Sequence, residues 1–193
     1  MTTYPAISNP KRSRPMHEQE IIRCGPLCLE LSWRSGLLTR LCLRWSTPED
    51  NSRFFTPWSA SLCKWLHQYL TGTLGGCPEI PLDWNNISGF SRRVLSALQT
   101  QVPAGQWISY GGLAERSGCP GAARAVGKIM ASNPWPLIVP CHRVLGSAGQ
   151  LTGYGGGLDI KWFLLKKEGI QFSASGKAAK DGRQKTGHAE QVR

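Results

Sequence analysis

The stretch Ile138-Val139-Pro140-Cys141-His142-Arg143-Val144 sets a thiol beside an imidazole, directly after an apolar run. Pro134, Pro136 and Pro140 stiffen the backbone around it. A reactive thiol needs a base or positive surroundings that lower its pKa, so Cys141 is either a nucleophile or a buried apolar cysteine. The dipeptide alone leaves both interpretations open, because neighbouring residues on a strand point to opposite faces.

The residues before this stretch have the pattern of a helix-turn-helix. Ser109 is placed to cap a short helix from Tyr110 to Arg116, and residues 118–121 form a turn that contains two glycines. A second helix, Ala122 to Ala131, follows. Its first turns carry only small side chains apart from Arg124. Such a surface allows close approach either to another helix or to a narrow groove.

The residues after it predict a Gly-rich loop over 146–157 and a last helix over Leu158 to Glu168. In the N-terminal half, period-2 alternation predicts a β-hairpin of 27–33 and 37–45, joined by Ser35-Gly36. After Thr56-Pro57, apolar residues at helical spacing predict an amphipathic helix whose aromatic side chains lie in the core. Those residues are Trp58, Leu62, Trp65, Leu66 and Tyr69.

The pattern predicts an α+β protein of two small domains. We expect a flexible leader over residues 1–20, an N-terminal α+β domain over 21–86, a mostly helical domain over 87–171 and a disordered basic tail over 172–193. The length of 193 residues is enough for both domains to bury a core.

Charge and cysteine usage narrow the possible partners and the compartment. The net charge is +11, and residues 90–170 alone hold nine Lys or Arg against three Asp or Glu, which suits a polyanion such as nucleic acid. The sequence contains no apolar run of about 18 residues, so no membrane span is predicted. The seven cysteines are scattered, which predicts a reducing compartment, the cytoplasm. No metal site is predicted, and Cys24, Cys28 and His17 stay unassigned.

Several motifs occur in a single order over residues 88–170. They are Ile108-Ser109-Tyr110, Ala122-Ala123-Arg124-Ala125-Val126-Gly127, Asn133-Pro134-Trp135-Pro136, the Cys141-His142 stretch, Tyr154-Gly155-Gly156-Gly157-Leu158 and Glu168-Gly169. In this combination the chain resembles the O6-alkylguanine-DNA alkyltransferases, which repair DNA by direct reversal. The likeness implies a ribonuclease-H-like N-terminal domain over the hairpin and helix of 24–86. It also implies a winged-helix-like helix-turn-helix in the C-terminal domain.

The resemblance gives the motif residues roles in a single-turnover transfer. Cys141 would be the thiolate that takes the alkyl group and expels guanine O6, and His142 would take the thiol proton through a water. Glu168 would orient His142. Asn133 would hold the turn between the helix-turn-helix and the acceptor loop. Tyr110 would donate to guanine N3 and crowd the backbone phosphate to help rotate the nucleotide.

The resemblance also implies how DNA is bound. The bare helix would lie in the minor groove, with Arg124 filling the space left by a flipped base. The implied DNA contacts are Arg124, Ala122, Ala123, Ser91, Ser109, Tyr110 and Ser147. The implied base pocket is lined by Pro136, Val144, Tyr154 and Gly155. Two positions depart from some relatives: Gly155 stands for a serine, which suits bulkier adducts, and Gly111 replaces a polar DNA contact.

The resemblance therefore implies a monomer that acts on double-stranded DNA carrying O6-alkylguanine, with O4-alkylthymine as a further substrate, and that needs no cofactor and no metal. The main alternative is a non-catalytic alkyltransferase-like protein that binds the lesion. Proteins of that kind replace the cysteine, commonly with tryptophan, whereas this chain keeps Cys141. A Cys-His hydrolase is a third alternative, and it leaves the helix that carries Arg124 unexplained.

Overall fold

The structure is a computed structural model that describes residues 18–73 and 75–179. A three-stranded antiparallel sheet comes first and helices dominate the rest, so the predicted mixture of a small sheet followed by helices is confirmed. In chain order the elements are β1 (Glu18–Cys24), β2 (Leu27–Arg34), β3 (Leu37–Trp45), α1 (Pro57–Leu70), α2 (Gly89–Gln101), β4 (Ile108–Ser109), α3 (Tyr110–Arg116), α4 (Ala123–Ala131), a 3-10 helix (Cys141–Arg143), β5 (Val144–Leu145) and α5 (Leu158–Lys167). None of the helices in this part of the chain is long and apolar enough to cross a bilayer.

The N-terminal sheet has the strand order β1-β2-β3, and the predicted hairpin of β2 and β3 is confirmed. Ser35 and Gly36 have φ angles of 51° and 77°, which is the left-handed backbone that a two-residue hairpin turn requires. One face of β2 is buried through alternate residues, as the period-2 pattern predicts. Those residues are Leu27, Leu29, Leu31 and Trp33.

Strand β1 was not predicted, because its first residues are polar and fall inside the predicted flexible leader of residues 1–20. Glu20 explains the difference, since its side chain is buried and accepts hydrogen bonds from the Thr56 backbone N–H at 2.7 Å and from the Ser59 hydroxyl. Burial raises the pKa of the Glu20 carboxyl, but these hydrogen bonds outweigh it and hold the pKa below its usual value. The carboxylate thus caps the start of α1. Residues 1–17 lie outside the described part of the chain.

Helix α1 packs on the sheet and begins as predicted after Thr56, whose side chain accepts from the Ser59 backbone N–H. One expectation about this helix is wrong. Trp58 lies in the first turn and is 40% exposed, although helical spacing placed it on the core face. Trp65 and Tyr69, further along the same face, are buried.

Helices α3 and α4 form the predicted helix-turn-helix and pack against α2. Ser109 caps α3 by accepting from the Gly112 backbone N–H at 3.0 Å. Gly118 and Gly121 turn the chain with φ angles of 72° and 83°. Helix α4 begins at Ala123, one residue later than expected, because Ala122 serves as its N-cap.

The sheet and the helices share one hydrophobic core, and β3 holds the loop that leads to Cys141. The Leu41 backbone N–H donates to the Pro134 carbonyl at 2.8 Å, and the Trp135 indole N–H donates to the Leu38 carbonyl at 2.8 Å. Trp135 is fully buried and contacts Trp84 edge-on, with ring centroids 4.7 Å apart. The loop that leads to Cys141, residues 133–140, is therefore anchored to β3, the edge strand of the sheet.

The C-terminal segment differs from the prediction of a disordered tail over residues 172–193. Residues 172–179 form a bridged turn whose Ala178 is buried: Phe172 bridges to Ala178, and Lys177 bridges to Gln150. Ala178 is 6% exposed and its backbone N–H donates to the Gly149 carbonyl at 2.8 Å. The physical reason is a small second core, which a composition rich in Lys, Ala and Gly does not reveal. Residues 180–193 lie outside the described part of the chain.

Candidate active site and DNA interface

A tight loop held by one amide side chain presents Cys141. The Asn133 amide donates from Nδ2 to the Val139 carbonyl at 2.9 Å, and its Oδ1 accepts from the Trp135 backbone N–H at 3.1 Å. Leu137, between these two points, has a φ of 75°, a conformation that a side chain of its size rarely adopts. The predicted role of Asn133 in holding this turn agrees with both hydrogen bonds.

His142 and Glu168 form a buried pair behind Cys141. Nε2 of His142 lies 2.8 Å from Oε1 of Glu168, and the two residues are 0% and 3% exposed. A carboxylate only accepts hydrogen bonds, so Nε2 carries the proton and donates it. That leaves Nδ1 as an acceptor, and it has no hydrogen-bond partner among the described residues. His142, the residue directly after Cys141, therefore has a free nitrogen, Nδ1, that can accept a proton.

Two further side chains hold Glu168, and sequence reasoning assigned a role to neither. Arg143 donates from Nη2 to Oε1 at 2.8 Å and from Nε to Oε2 at 2.9 Å. The Tyr69 hydroxyl, which α1 brings from the N-terminal part, donates to Oε1 at 2.9 Å. Arg143 directly follows His142, which was a usable signal. Tyr69 lies far away in sequence, and only the packing of α1 against α5 reveals it.

The electrostatics of the site fix the resting protonation states. Burial raises the pKa of the Glu168 carboxyl, but His142 and Arg143 outweigh it and lower the pKa to about 2. Burial lowers the pKa of His142, although Glu168 acts in the opposite direction. Burial raises the pKa of the Cys141 thiol, with Asn133 and Lys161 offsetting part of the rise. At neutral pH the site thus holds a thiol, a neutral imidazole and a carboxylate, so the thiol needs a base.

Lys161 is a buried cation that the sequence interpretation missed. It is 1% exposed, and its Nζ donates to the Val144 carbonyl at 2.7 Å and to the Thr152 carbonyl at 3.1 Å. Burial lowers the pKa of Lys161 to about 8, while its interaction with Cys141 acts in the opposite direction. The available signal was a lysine inside the apolar run of α5, between Ile160 and Trp162.

A cavity of ≈ 500 Å³ opens in front of Cys141. Three of the four predicted pocket residues line it: Pro136, Tyr154 and Gly155. The fourth, Val144, is fully buried and is not among the lining residues. The Tyr154 hydroxyl is buried and has no hydrogen-bond partner among the described residues. Gly155 has open space where a side chain would stand, as expected for a pocket that admits bulky groups.

The edge strand β3 forms the opposite wall of the cavity, which the sequence did not indicate. Residues 39–43 line it, and Cys42 among them is a second thiol in the same space. Gly156 completes the contact between the Gly-rich loop and this strand. A Cβ at Gly156 would lie 2.9 Å from the Leu43 carbonyl oxygen, so only glycine allows the loop to approach so closely.

Tyr110 lies beside the cavity rather than among its lining residues. It is the first residue of α3, and its hydroxyl is 2.8 Å from the Thr152 hydroxyl. Thr152 comes two residues before Tyr154, on the loop that closes the cavity. The structure thus brings Tyr110 next to this loop, although the two segments are far apart in sequence.

The predicted DNA contacts lie at helix starts and on one loop. Arg124 is exposed in the first turn of α4, whose far end, at Met130 and Ala131, forms part of the cavity wall. Ala122 and Ala123 precede it and are half-buried. The three serines lie on α2, before α3 and in the loop after β5: Ser91, Ser109 and Ser147. Gly111, which the resemblance implied to be a departure from some relatives, follows Tyr110 in the first turn of α3.

The chain is similar to known proteins over most of its length. A family model described as the DNA-binding domain of 6-O-methylguanine DNA methyltransferase matches residues 89–170. A relative in Mycolicibacterium paratuberculosis, named methylated-DNA–protein-cysteine methyltransferase, is 46% identical over 147 residues, which are 72% of this chain and 85% of the relative.

Two crystal structures of a Mycobacterium tuberculosis protein have a similar fold. The O6-methylguanine methyltransferase matches with a TM-score of 0.63 and 36% identity, over 79% of this chain and 93% of that one. The same organism's OGT in complex with DNA matches with a TM-score of 0.62 and 39% identity, over 77% of this chain and 90% of that one. The similarity therefore covers the sheet as well as the helices.

Proposed function

The chain belongs to the methylated-DNA–protein-cysteine methyltransferase family, and on that premise we propose that Cys141 is the cysteine that receives the group. The protein is a DNA repair methyltransferase that binds DNA. Its substrate is O6-alkylguanine in double-stranded DNA, and the transfer is irreversible, so each molecule acts once.

The choice of Cys141 rests on the relay beside it, which consists of His142 and Glu168. Two thiols line the cavity, those of Cys42 and Cys141. Only Cys141 is followed by a neutral imidazole, whose Nδ1 is free because Glu168 holds Nε2. Cys42 lies on β3, and no hydrogen bond ties it to any ionisable side chain among the residues described. Only Cys141 has a neighbouring base to take its proton, so Cys141 is the nucleophile.

The transfer is one in-line displacement. The Cys141 Sγ–H proton passes to Nδ1 of His142 through a water, while Glu168 stabilises the resulting imidazolium. Sγ forms a bond to the alkyl carbon as the bond from that carbon to guanine O6 breaks, and the electron pair goes to guanine. Tyr110 donates a hydrogen bond to guanine N3, which stabilises the leaving base. The product is an S-alkylcysteine that no residue of this site regenerates.

Access to the base requires opening the duplex, since O6 is out of reach inside the stack. Helix α4 lies in the minor groove, where Ala122 and Ala123 permit close approach and Arg124 fills the space left by the flipped nucleotide. Contacts of Ser91, Ser109 and Ser147 to phosphates fix the register without reading sequence. The exposure of Arg124 at the start of α4 supports this arrangement, because an inserted side chain must be free to extend.

Several finer expectations belong to the same proposal. The N-terminal part has a ribonuclease-H-like topology and the C-terminal part a winged-helix-like one, divided near residue 86. The protein acts as a monomer in the cytoplasm, away from membranes. The scattered free cysteines support a reducing compartment.

The test is a mass measurement after reaction with duplex DNA that carries O6-methylguanine. We expect the peptide that contains Cys141 to gain the mass of one methyl group, and the peptide that contains Cys42 to gain none. Cys141→Ala should abolish the gain and still bind the duplex. A gain on Cys42 would overturn the assignment, and tight lesion binding without any gain would favour the non-catalytic alternative.

A further inference from the structure

We propose that Thr152 is a positioning residue for the transfer, because its hydroxyl orients the O–H of Tyr110 toward the leaving guanine. This inference rests on the proposed function, in which Tyr110 donates a hydrogen bond to guanine N3. It adds a residue that neither the motifs nor the relay includes. Thr152 lies on the Gly-rich loop, beside the cavity and two residues before Tyr154.

The Tyr110 ring is held both by the start of α3 and by its packing against the core. The direction in which the hydroxyl proton points is what remains free. Tyr110 begins α3, and the Ser109 cap fixes that helix start through its 3.0 Å hydrogen bond with Gly112. The ring itself is partly buried against the hydrophobic core and passes Gly127 of α4, where an added Cβ would be 3.9 Å from Cδ1 of Tyr110. With the ring packed in this way, the direction of the O–H bond depends on what the oxygen meets.

Thr152 is the residue that meets it. The two hydroxyl oxygens are 2.8 Å apart, a normal hydrogen-bond distance. Thr152 is itself fixed, since its carbonyl accepts from the buried Lys161 at 3.1 Å, and the same Nζ donates to the Val144 carbonyl at 2.7 Å. Lys161 thus ties the loop to β5, directly after the relay residues. The Thr152 hydroxyl that positions Tyr110 is therefore anchored, through Lys161, to the strand that follows Cys141.

The count of protons decides what this contact does. A tyrosine hydroxyl has one proton and accepts through its lone pairs, and a threonine hydroxyl has the same capacity. When Thr152 donates to the Tyr110 oxygen, the Tyr110 proton is left for guanine N3. The donated hydrogen bond also polarises the Tyr110 O–H, which strengthens its own hydrogen bond to the base as negative charge develops there. No proton leaves either residue in this step, since Cys141 gives its proton to His142.

The test is a double-mutant cycle on the rate of methyl transfer from duplex O6-methylguanine, with protein in excess over DNA. Thr152→Val keeps the shape and removes the hydroxyl, so we expect a roughly three- to tenfold slower transfer, the range for one neutral hydrogen bond. In a Tyr110→Phe background, the same change should have no further effect. Thr152→Ser should keep the normal rate. Thr100→Val, an exposed threonine of α2, controls for the loss of a hydroxyl elsewhere.

The outcomes separate this inference from the function it rests on. A normal rate for Thr152→Val would overturn the inference. An equal slowing in the Tyr110→Phe background would also overturn it, because the effect would then come from the loop and not from the hydroxyl pair. If the unaltered protein transfers no methyl group to Cys141, the proposed function fails and the role of Thr152 fails with it.

Discussion

The relay behind Cys141 and the first turn of α4 have opposite physical designs. His142 and Glu168 are buried and ionisable, they share a hydrogen bond, and Arg143 holds Glu168 as well. The start of α4 presents the exposed Arg124 among alanines that add little side chain. The relay is complete without DNA, whereas the proposed DNA contacts of α4 form only when DNA is bound. We infer that the chemistry is preorganised in the protein and that substrate access is supplied on binding.

The comparison predicts that a change in the relay affects every substrate. Glu168→Gln keeps the size and removes the charge that orients His142, so we expect transfer to slow by about 100-fold or more with duplex and with free O6-benzylguanine. It also leaves Arg143 without its partner in a buried site, which destabilises the fold by about 3 kcal/mol. Single-turnover kinetics and thermal unfolding measure the two effects.

The controls separate chemistry from folding. Glu168→Asp keeps the charge and should recover more activity than the glutamine variant. Glu79→Gln removes an exposed carboxylate and should change neither rate nor stability. A normal transfer rate for a folded Glu168→Gln protein would show that His142 does not need its partner, and the relay would not be the catalytic unit.

The pH dependence tests the resting protonation states. Because burial lowers the pKa of His142 from 6.5, the imidazole stays neutral above that value, and the base is lost only as the pH falls through its lowered pKa. We expect a rate that is flat above about pH 7 and that falls about tenfold for each pH unit below the midpoint. Free O6-benzylguanine as substrate removes any effect of DNA binding. A rate that rises continuously through pH 9.0 would indicate a free Cys141 thiolate and no base.

The smallest expected effect concerns Tyr69, which connects the N-terminal part to the relay. Tyr69→Phe removes one hydrogen bond to Glu168 and leaves those from His142 and Arg143, so we expect a loss of about 1 kcal/mol in stability and a two- to fivefold slower transfer, roughly the effect of one hydrogen bond. Thr71→Val, at the exposed end of the same helix, is the matched control. A loss as large as that of Glu168→Gln would mean that Tyr69 takes part in the reaction itself.

The local elements were predictable because local residues decide them. The β2–β3 hairpin follows from alternation around Ser35-Gly36, and the caps of α1 and α3 follow from Thr56 and Ser109. The helix-turn-helix follows from two short periodic segments joined by glycines. Proximity in sequence also placed His142 next to Cys141, although it did not show that Nδ1 is the free nitrogen.

The contacts between distant segments were not predictable in the same way. The contact of Tyr69 with Glu168 comes from the packing of α1 against α5, and the cavity wall on β3 comes from the packing of the sheet against the loop before Cys141. Neither contact leaves a periodic pattern in the sequence. Strand β1 was hidden because the buried Glu20 makes its pattern polar. Lys161 was hidden for a different reason, since a lysine in a helix with three other charged residues resembles a solvent-exposed position until burial is known.

The most direct test compares one variant on two substrates. Arg124→Ala and the unaltered protein are reacted with duplex O6-methylguanine and with free O6-benzylguanine, and Lys64→Ala controls for the loss of an exposed positive charge on α1. We predict that Arg124→Ala slows the duplex reaction at least about tenfold, because no side chain then fills the space left by the flipped base. The reaction with free O6-benzylguanine should keep its normal rate. Equal losses on both substrates would contradict the division between a preorganised relay and a helix that supplies access.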